Sequence, residues 1–367
     1  MRHPHLSKII TPMSAAATHR DRSSTDLPSK EALLGAVRGR TGWIISDGKA
    51  GNETQCRGVF DALGVTAEVK LIRPGRLQRA LAPYVPVARA ERFGEPGSTF
   101  APPWPDFAIA AGRLTAPYIR ALKRHAKLAT YTIILQDPKV PLTTADFFWM
   151  PEHDRKRGPN VLTTVVSPHR FSPERIAALR ATPPPPAFNA VPQPWVAVLI
   201  GGDGSSYTFK PEDMTRFAAA LRSLAEGGAG LLMTPSRRTP PALLAAVDRA
   251  TADFPRFLWD GSGDNPYPAM LAHAHHFVVT ADSVNMCGEP AVTGRPIHVF
   301  TPSGGSAKFQ RYHEALIRHG ATRPLPGTAT ALDTWTYPPL YSAGEIAIAI
   351  AERWQRRRSM LSGMTGA

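Results

Sequence analysis

A glycine-rich turn in the second half of the chain contains residue types that can bind a phosphate. Residues 201–207 (GGDGSSY) follow an apolar stretch and precede a helical pattern. Glycines let backbone N–H groups approach an anion, and a serine hydroxyl can donate to a phosphate oxygen. Gly201, Gly202 and Ser205 are therefore candidates for a nucleotide-binding site. The alternative interpretation is a tight turn with an ordinary serine helix cap.

A second turn of the same kind supplies positive charge. Ser236, Arg237 and Arg238 also stand between a predicted strand and a predicted helix. Two guanidinium groups at a helix start suit a diphosphate, because each can form parallel hydrogen bonds with its oxygens. The alternative interpretation is a solvated basic turn.

The segment 273–300 combines a predicted strand (277–280), a polar loop, a short helix, a stop at 294–296 and another strand (297–300). Loops between a strand and a helix N-terminus are where α/β folds bind phosphates and sugars. Glu289 lies one or two turns into this helix, from where an acid can reach back towards a ribose. Pro290 has no N–H to donate, so we expect the helix to kink or start late there.

Corresponding turns in the first half could serve a second substrate. Lys49, Asn52 and Arg113 are predicted to bind an acceptor or another anion, and Asp47 is a candidate base for an acceptor hydroxyl. The alternative for the first turn is a flexible loop capped by Asn52 or Thr54.

His153 and Asp154 follow another predicted strand and form a second candidate base. A solvent-exposed structural loop is the alternative interpretation of that pair. Histidine, cysteine and aspartate residues do not follow metal-ligand spacings, so a metal site is not predicted.

Apolar stretches alternate with helical patterns along most of the chain, which indicates parallel sheets with helical crossovers. A proline-rich segment at 181–194 interrupts the alternation. We therefore predict an α/β fold with two Rossmann-like domains whose parallel sheets face each other across a cleft. The predicted boundaries are listed in chain order: a disordered tail (1–40), an acceptor-side domain (41–180), a linker (181–194), a nucleotide-sugar domain (195–345), and a basic C-terminal helix and tail (346–367).

Composition limits the partners. The chain has 367 residues, a formal net charge of +14 and two cysteines, with no apolar run long enough to span a bilayer. A cytoplasmic protein is predicted, and an anionic lipid or lipid-linked acceptor on the inner face of the membrane is a candidate partner. Nucleic acid is not a predicted partner, because the basic residues are scattered without interleaved aromatic residues.

Six short motifs, occurring in this order along the chain, resemble those of the "elongated mitochondria" family of mitochondrial fission. They are residues 45–55 (ISDGKAGNETQ), 135–138 (LQDP), 151–154 (PEHD), 158–160 (GPN), 236–240 (SRRTP) and 280–286 (TADSVNM). The resemblance covers about residues 42–345 and implies two domains of the glycosyltransferase-B type.

Residues 277–300 also resemble the donor-binding segment of glycosyltransferase-B enzymes. That resemblance implies that Glu289 holds the ribose, that Ser283 and Asn285 lie near phosphate or sugar, and that Gly201, Gly202 and Ser205 line the diphosphate. The function predicted is metal-independent sugar transfer from a nucleotide sugar, a co-substrate rather than a bound cofactor, to an anionic or lipid-linked acceptor in envelope glycoconjugate synthesis. The alternatives are a nucleotide-sugar epimerase and a non-catalytic scaffold at a membrane surface.

Overall fold

The first domain is built on a six-stranded sheet. The computed structural model describes residues 29–87 and 91–365. The strands are β1 (Thr41–Ser46), β2 (Thr66–Leu71), β3 (Phe107–Ala111), β4 (Tyr131–Leu135), β5 (Phe147–Pro151) and β6 (Val161–Thr164). The helices in this part of the chain are α1 (Lys30–Gly35), α2 (Ala50–Leu63), α3 (Arg76–Leu81), α4 (Ala116–Ala126) and α5 (Pro173–Arg180). All strand pairs are parallel, in the order β2-β1-β3-β4-β5-β6.

The second domain repeats this architecture. Its main sheet contains β7 (Trp195–Ile200), β9 (Gly230–Pro235), β10 (Arg256–Leu258), β11 (His276–Thr280), β12 (Ile297–Phe300) and β14 (Thr322–Pro324), while β8 (Tyr207–Thr208) and β13 (Ser303–Gly304) form a small antiparallel ribbon. The helices are α6 (Pro211–Glu226), α7 (Pro241–Thr251), α8 (Tyr267–His273), α9 (Val284–Gly288), α10 (Ala307–His319) and α11 (Ser342–Thr365). The sheet is parallel, in the order β10-β9-β7-β11-β12-β14.

Both sheets are covered on their two faces, which explains why their central strands are almost wholly apolar. Every residue of β3, β4, β5, β7 and β11 is buried. The prediction of an α/β fold with two Rossmann-like domains is confirmed by these two parallel sheets. None of the described helices combines the length and the apolar character that a bilayer span requires.

The chain crosses between the domains at positions that differ from the predicted boundaries. Ile176 of α5 and Phe188 and Val191 of the proline-rich segment are buried in the core of the second domain. The segment 181–194 is therefore packed against that domain rather than free, and the second domain begins before residue 176. Proline content alone could not show this, because proline also fits packed irregular segments.

The two ends of the described chain meet on the first domain. Residues 1–28 of the predicted tail lie outside the described residues, but residues 30–35 form α1 instead of a disordered tail. Leu33 is buried, and its carbonyl accepts a hydrogen bond from Gln355 Nε2 of α11 at 3.4 Å. The predicted C-terminal helix exists, and its residues Ile346, Ile350 and Trp354 belong to the core of the first domain.

Candidate functional site

In each sheet, successive strands are added on one side of the first strand and then on its other side. Where the side changes, folds of this kind have a crevice at the carboxyl ends of the strands. In the first domain this point lies between β1 and β3, and in the second between β7 and β11. Leu199 pairs with Val279, so β7 and β11 end side by side. The glycine turn after β7 and the polar loop after β11 therefore meet at the position where α/β folds bind ligands.

Asp282, in the loop after β11, holds the three loops of this crevice together. Its Oδ2 accepts hydrogen bonds from the Gly202 N–H (2.9 Å) and from Arg238 Nη2 (3.0 Å), and its Oδ1 accepts one from Thr280 Oγ1 (2.6 Å). The Asp282 side chain is only 1% exposed, whereas that of Arg238 is 46% exposed. The buried carboxylate is thus neutralised from the solvent side by a guanidinium group.

The glycines of the turn are required by the approach of these loops. A Cβ at Gly201 would lie 2.1 Å from Asp282 Oδ1, and one at Gly202 would lie 1.9 Å from the Arg238 carbonyl oxygen. The Gly201 N–H donates to Thr280 Oγ1 at 2.8 Å. The sequence predicted that the N–H groups of both glycines face a phosphate. In this structure they donate to Thr280 and Asp282 instead.

The exposed groups of the same crevice are cationic and hydroxylic. Arg237, Arg238 and Ser205 are exposed. Arg238 Nη1 also donates to the Asp203 carbonyl at 3.1 Å, and Ser236 Oγ accepts from the Arg238 N–H at 3.1 Å. Ser236 therefore shapes the arginine turn, while Arg237 has no ion pair among the described residues.

Helix α9 begins at the same edge and ends just before Pro290, as the presence of this proline predicts. Ser283 caps it by accepting from the Met286 N–H at 3.3 Å, and Asn285 is exposed in its first turn. After Gly288 the helix tightens into a 3₁₀ turn over Glu289–Thr293.

Glu289, at the start of that 3₁₀ turn, has a strongly perturbed carboxyl group. Tyr267 Oη donates to its Oε2 at 2.5 Å. Burial raises the pKa of the Glu289 carboxyl to about 7, an effect that the Tyr267 hydrogen bond partly offsets. This carboxyl group therefore changes charge near neutral pH.

In the first domain, the predicted acceptor residues divide into exposed and structural groups. Lys49 is 69% exposed and lies 3.6 Å from Asp47 Oδ2, while the Asp47 side chain is 3% exposed. Asn52 Nδ2 donates to the Ala111 carbonyl at 3.4 Å and its Oδ1 accepts from Gln136, so it links the ends of β3 and β4 to α2. Arg113 donates to the carbonyls of Arg79 (3.1 Å) and Ala82 (3.5 Å), which holds the end of α3.

His153 and Asp154 lie where the two domains touch. Asp154 Oδ1 forms an ion pair with Lys308 Nζ of α10 at 2.9 Å, and the His153 carbonyl accepts from Arg311 Nε at 3.0 Å. The His153 ring packs edge-on against Tyr312, and burial beside Lys308 lowers its pKa to about 4. The structure thus places both residues in an interdomain contact. They do not form a solvent-accessible pair that could act as a general base.

Sequence reasoning missed Asp282 as the organising residue of the crevice. Its signal is a Thr-x-Asp pattern at the end of a buried strand, with two hydroxyl or carboxylate side chains that can bond to each other across one residue. Among the described residues, no three His, Cys, Asp or Glu side chains lie close enough to share a metal ion.

A family model for mitochondrial fission ELM1 matches residues 50–354. The chain belongs to this family. The resemblance inferred from the six motifs is therefore confirmed. A relative named mitochondrial fission protein ELM1, from Arabidopsis thaliana, is 26% identical over 269 residues, which are 67% of this chain and 63% of the plant protein. The chain thus matches less than two thirds of the plant relative's length.

Other similar proteins come from bacteria. An uncharacterized protein of Rickettsia prowazekii is 26% identical over 345 residues, covering 83% of this chain and 96% of that protein. Among solved structures, a putative UDP-N-acetylglucosamine 2-epimerase from Listeria monocytogenes has a TM-score of 0.49 at 10% identity, covering 86% of this chain and 90% of that one. MurG from Acinetobacter baumannii has a TM-score of 0.43 at 12% identity, covering 86% and 92%.

Proposed function

We propose that this protein transfers a sugar from a nucleoside-diphosphate sugar, bound by the second domain, to an anionic acceptor bound by the first. The observation that carries the proposal is the arginine pair at the crevice between β7 and β11. Arg237 and Arg238 are exposed there, and the nearest buried carboxylate, Asp282, is already paired. Arg237 has no ion pair among the described residues, and a diphosphate would supply the negative charge that balances it.

In this proposal the diphosphate lies against Arg237, Arg238 and Ser205, with Ser283 and Asn285 at its other side. The arginines would stabilise the charge that develops on the leaving diphosphate, because fixed cations act most strongly where charge appears in the transition state. Glu289 would accept hydrogen bonds from the ribose hydroxyls in its ionised form.

Asp47 is the proposed base for the acceptor hydroxyl. It stands at the crevice of the first domain, and the cation paired with it is the exposed Lys49, which can also bind an anionic acceptor. Asp154 is engaged by Lys308, and the buried His153 has a weakly basic ring. Asp47→Asn is expected to abolish transfer and leave nucleotide affinity unchanged.

The first test is a thermal-shift series with uridine, cytidine, guanosine and thymidine diphosphates. At a concentration of 100 Kd, a ligand that binds only the folded state stabilises it by about 2.7 kcal/mol. Arg237→Gln is expected to weaken the binding of the stabilising nucleotide by roughly tenfold, about the loss of one charge-assisted contact. Arg249→Gln, which changes an exposed arginine at the far end of α7, is the matched control.

Two results would contradict the proposal. If none of the four nucleoside diphosphates stabilises the protein, the proposed nucleotide-sugar donor is wrong. Product analysis that finds an epimerised nucleotide sugar, with no transfer to any acceptor, would replace the transferase by an epimerase on the same site.

A further inference from the structure

Large apolar side chains are exposed in one short segment of the first domain. In the part of the chain that the structure describes, seven large apolar residues are strongly exposed, and four of them fall between residues 71 and 84. These four are Leu71 (49%), Leu77 (66%), Leu81 (48%) and Tyr84 (73%). The clustering is unusual because exposed apolar residues of a monomer are normally scattered.

The segment forms the outer edge of the sheet. Strand β2 is the edge strand of the first domain, and α3 follows from its carboxyl end. Leu77 and Leu81 are four residues apart on α3, so they share one face of the helix. The Tyr84 N–H donates to the Leu81 carbonyl at 3.1 Å, which keeps Tyr84 next to that face. Helix α3 buries none of its side chains.

Arginines lie along this apolar edge, together with one carboxylate, that of Glu91, which accepts a hydrogen bond from the Arg73 N–H at 2.7 Å. Residues 71–87 contain three arginines and no aspartate or glutamate. Arg73, Arg76 and Arg79 are all exposed, and Arg79 Nε donates to the Pro74 carbonyl at 3.0 Å. Exposed leucines beside arginines are typical of surfaces that insert into the headgroup region of anionic bilayers. Each basic residue near such a surface contributes about 1 kcal/mol of attraction.

We propose that residues 71–84 form a face that binds anionic phospholipid membranes, with Leu77, Leu81 and Tyr84 entering the headgroup layer and the arginines contacting lipid phosphates. The arginine flank favours lipid over an apolar protein surface, because a protein partner would need a matching set of carboxylates.

The position of this face matches the proposed acceptor side of the cleft, and this step rests on the proposed function. A Cβ at Gly48 would lie 3.7 Å from Leu71 Cδ1, so the face borders the turn that carries Asp47 and Lys49. Arg113, in the loop after β3, is bonded to the end of α3. A protein bound through this face would therefore hold the first-domain crevice beside the bilayer, where a lipid-linked anionic acceptor could enter.

The test is co-sedimentation of the full chain with phosphatidylcholine vesicles, with and without phosphatidylglycerol. We expect binding to the anionic vesicles only, weakened by salt. The double variant Leu77→Glu/Leu81→Glu should bind at least about tenfold more weakly, because it loses two inserting side chains and adds repulsion. Arg73→Gln/Arg76→Gln should also weaken binding.

The matched control is Leu128→Glu, which changes a leucine that is 61% exposed between α4 and β4, at the amino end of an interior strand and away from the β2 edge. Its binding should equal that of the unmodified chain. Equal binding by the Leu77→Glu/Leu81→Glu variant, equal binding to neutral vesicles, or no binding to either vesicle would each overturn the proposal. The nucleotide thermal shift separates the two proposals, because it should be unchanged in the double variant. A chain that binds anionic vesicles through this face but no nucleotide would refute the transferase alone.

Discussion

Replacing Glu289 by glutamine should change how the stability of the protein depends on pH. The carboxyl of Glu289 is buried against Tyr267, and its pKa lies at about 7 instead of its ordinary value of 4.5. The folded state therefore keeps this proton to a higher pH than the unfolded state does. The stability contributed by the protonated Glu289 carboxyl is fully present below pH 4.5 and is lost as the pH rises through 4.5 to 7. Glutamine can still accept from the Tyr267 hydroxyl but never ionises.

The magnitude follows from the difference between the two pKa values. One pKa unit corresponds to about 1.4 kcal/mol, so ionising Glu289 costs the folded state roughly 3 kcal/mol in total. Part of this loss is already complete at pH 5, because the unfolded carboxyl titrates near 4.5. Between pH 5 and pH 8 the unmodified protein should lose roughly 2–3 kcal/mol relative to Glu289→Gln.

Urea unfolding of both proteins at pH 5, 6, 7 and 8 measures this difference directly. Other titrating groups are common to the two proteins, so subtracting one curve from the other isolates Glu289. Glu212→Gln, which removes an exposed carboxylate in the first turn of α6, is the control and should follow the unmodified protein. A constant difference between the Glu289→Gln and unmodified curves over this range would refute the reasoning. If Glu289 also holds a ribose, nucleotide affinity should rise with pH through 7 in the unmodified protein only.

Three further changes test other parts of the structure. In urea unfolding, Gly202→Ala should lower the free energy of unfolding by roughly 2–3 kcal/mol, because its Cβ meets the Arg238 backbone. Gly35→Ala, which has open space around it, should raise the free energy of unfolding by up to about 1 kcal/mol. Trp354→Ala should cost about 3–5 kcal/mol, and a cost below about 1 kcal/mol would contradict the packing of α11 on the first domain. The buried, neutral ring of His298 has a pKa of about 4, so the stability that it contributes is lost as the pH drops from 6.5 to 4. His298→Phe should therefore make the melting temperature depend less on pH in this range.

The strands and their order along the chain could be predicted because each buried strand is a run of consecutive apolar residues. The strands β3, β4 and β7 are buried at every position, so their segments carry no competing polar pattern. Helix α1 could not be predicted in the same way. It is six residues long, and Leu33 is buried only because α11, more than three hundred positions later in the chain, packs beside it.

The candidate site shows the same limit. The turns that carry Gly202 and Arg238 could be found from local residue types, but the contact between them could not. Asp282 reaches Gly202 across 80 positions of sequence and Arg238 across 44. A glycine that a local reading assigns to an approaching phosphate is in fact needed for an approaching backbone, and only the spatial neighbours distinguish the two causes.

The two crevices share a construction that limits how they can bind ligands. In the first domain Asn52 ties α2 to the ends of neighbouring strands, and in the second Asp282 ties together the loops after β7, β9 and β11. Each link uses polar atoms of the loops themselves, so rearranging a loop would leave a buried polar group without a partner. In the proposed function, exposed side chains such as Lys49 and Arg237 would adjust to a ligand, because they can move without breaking those links.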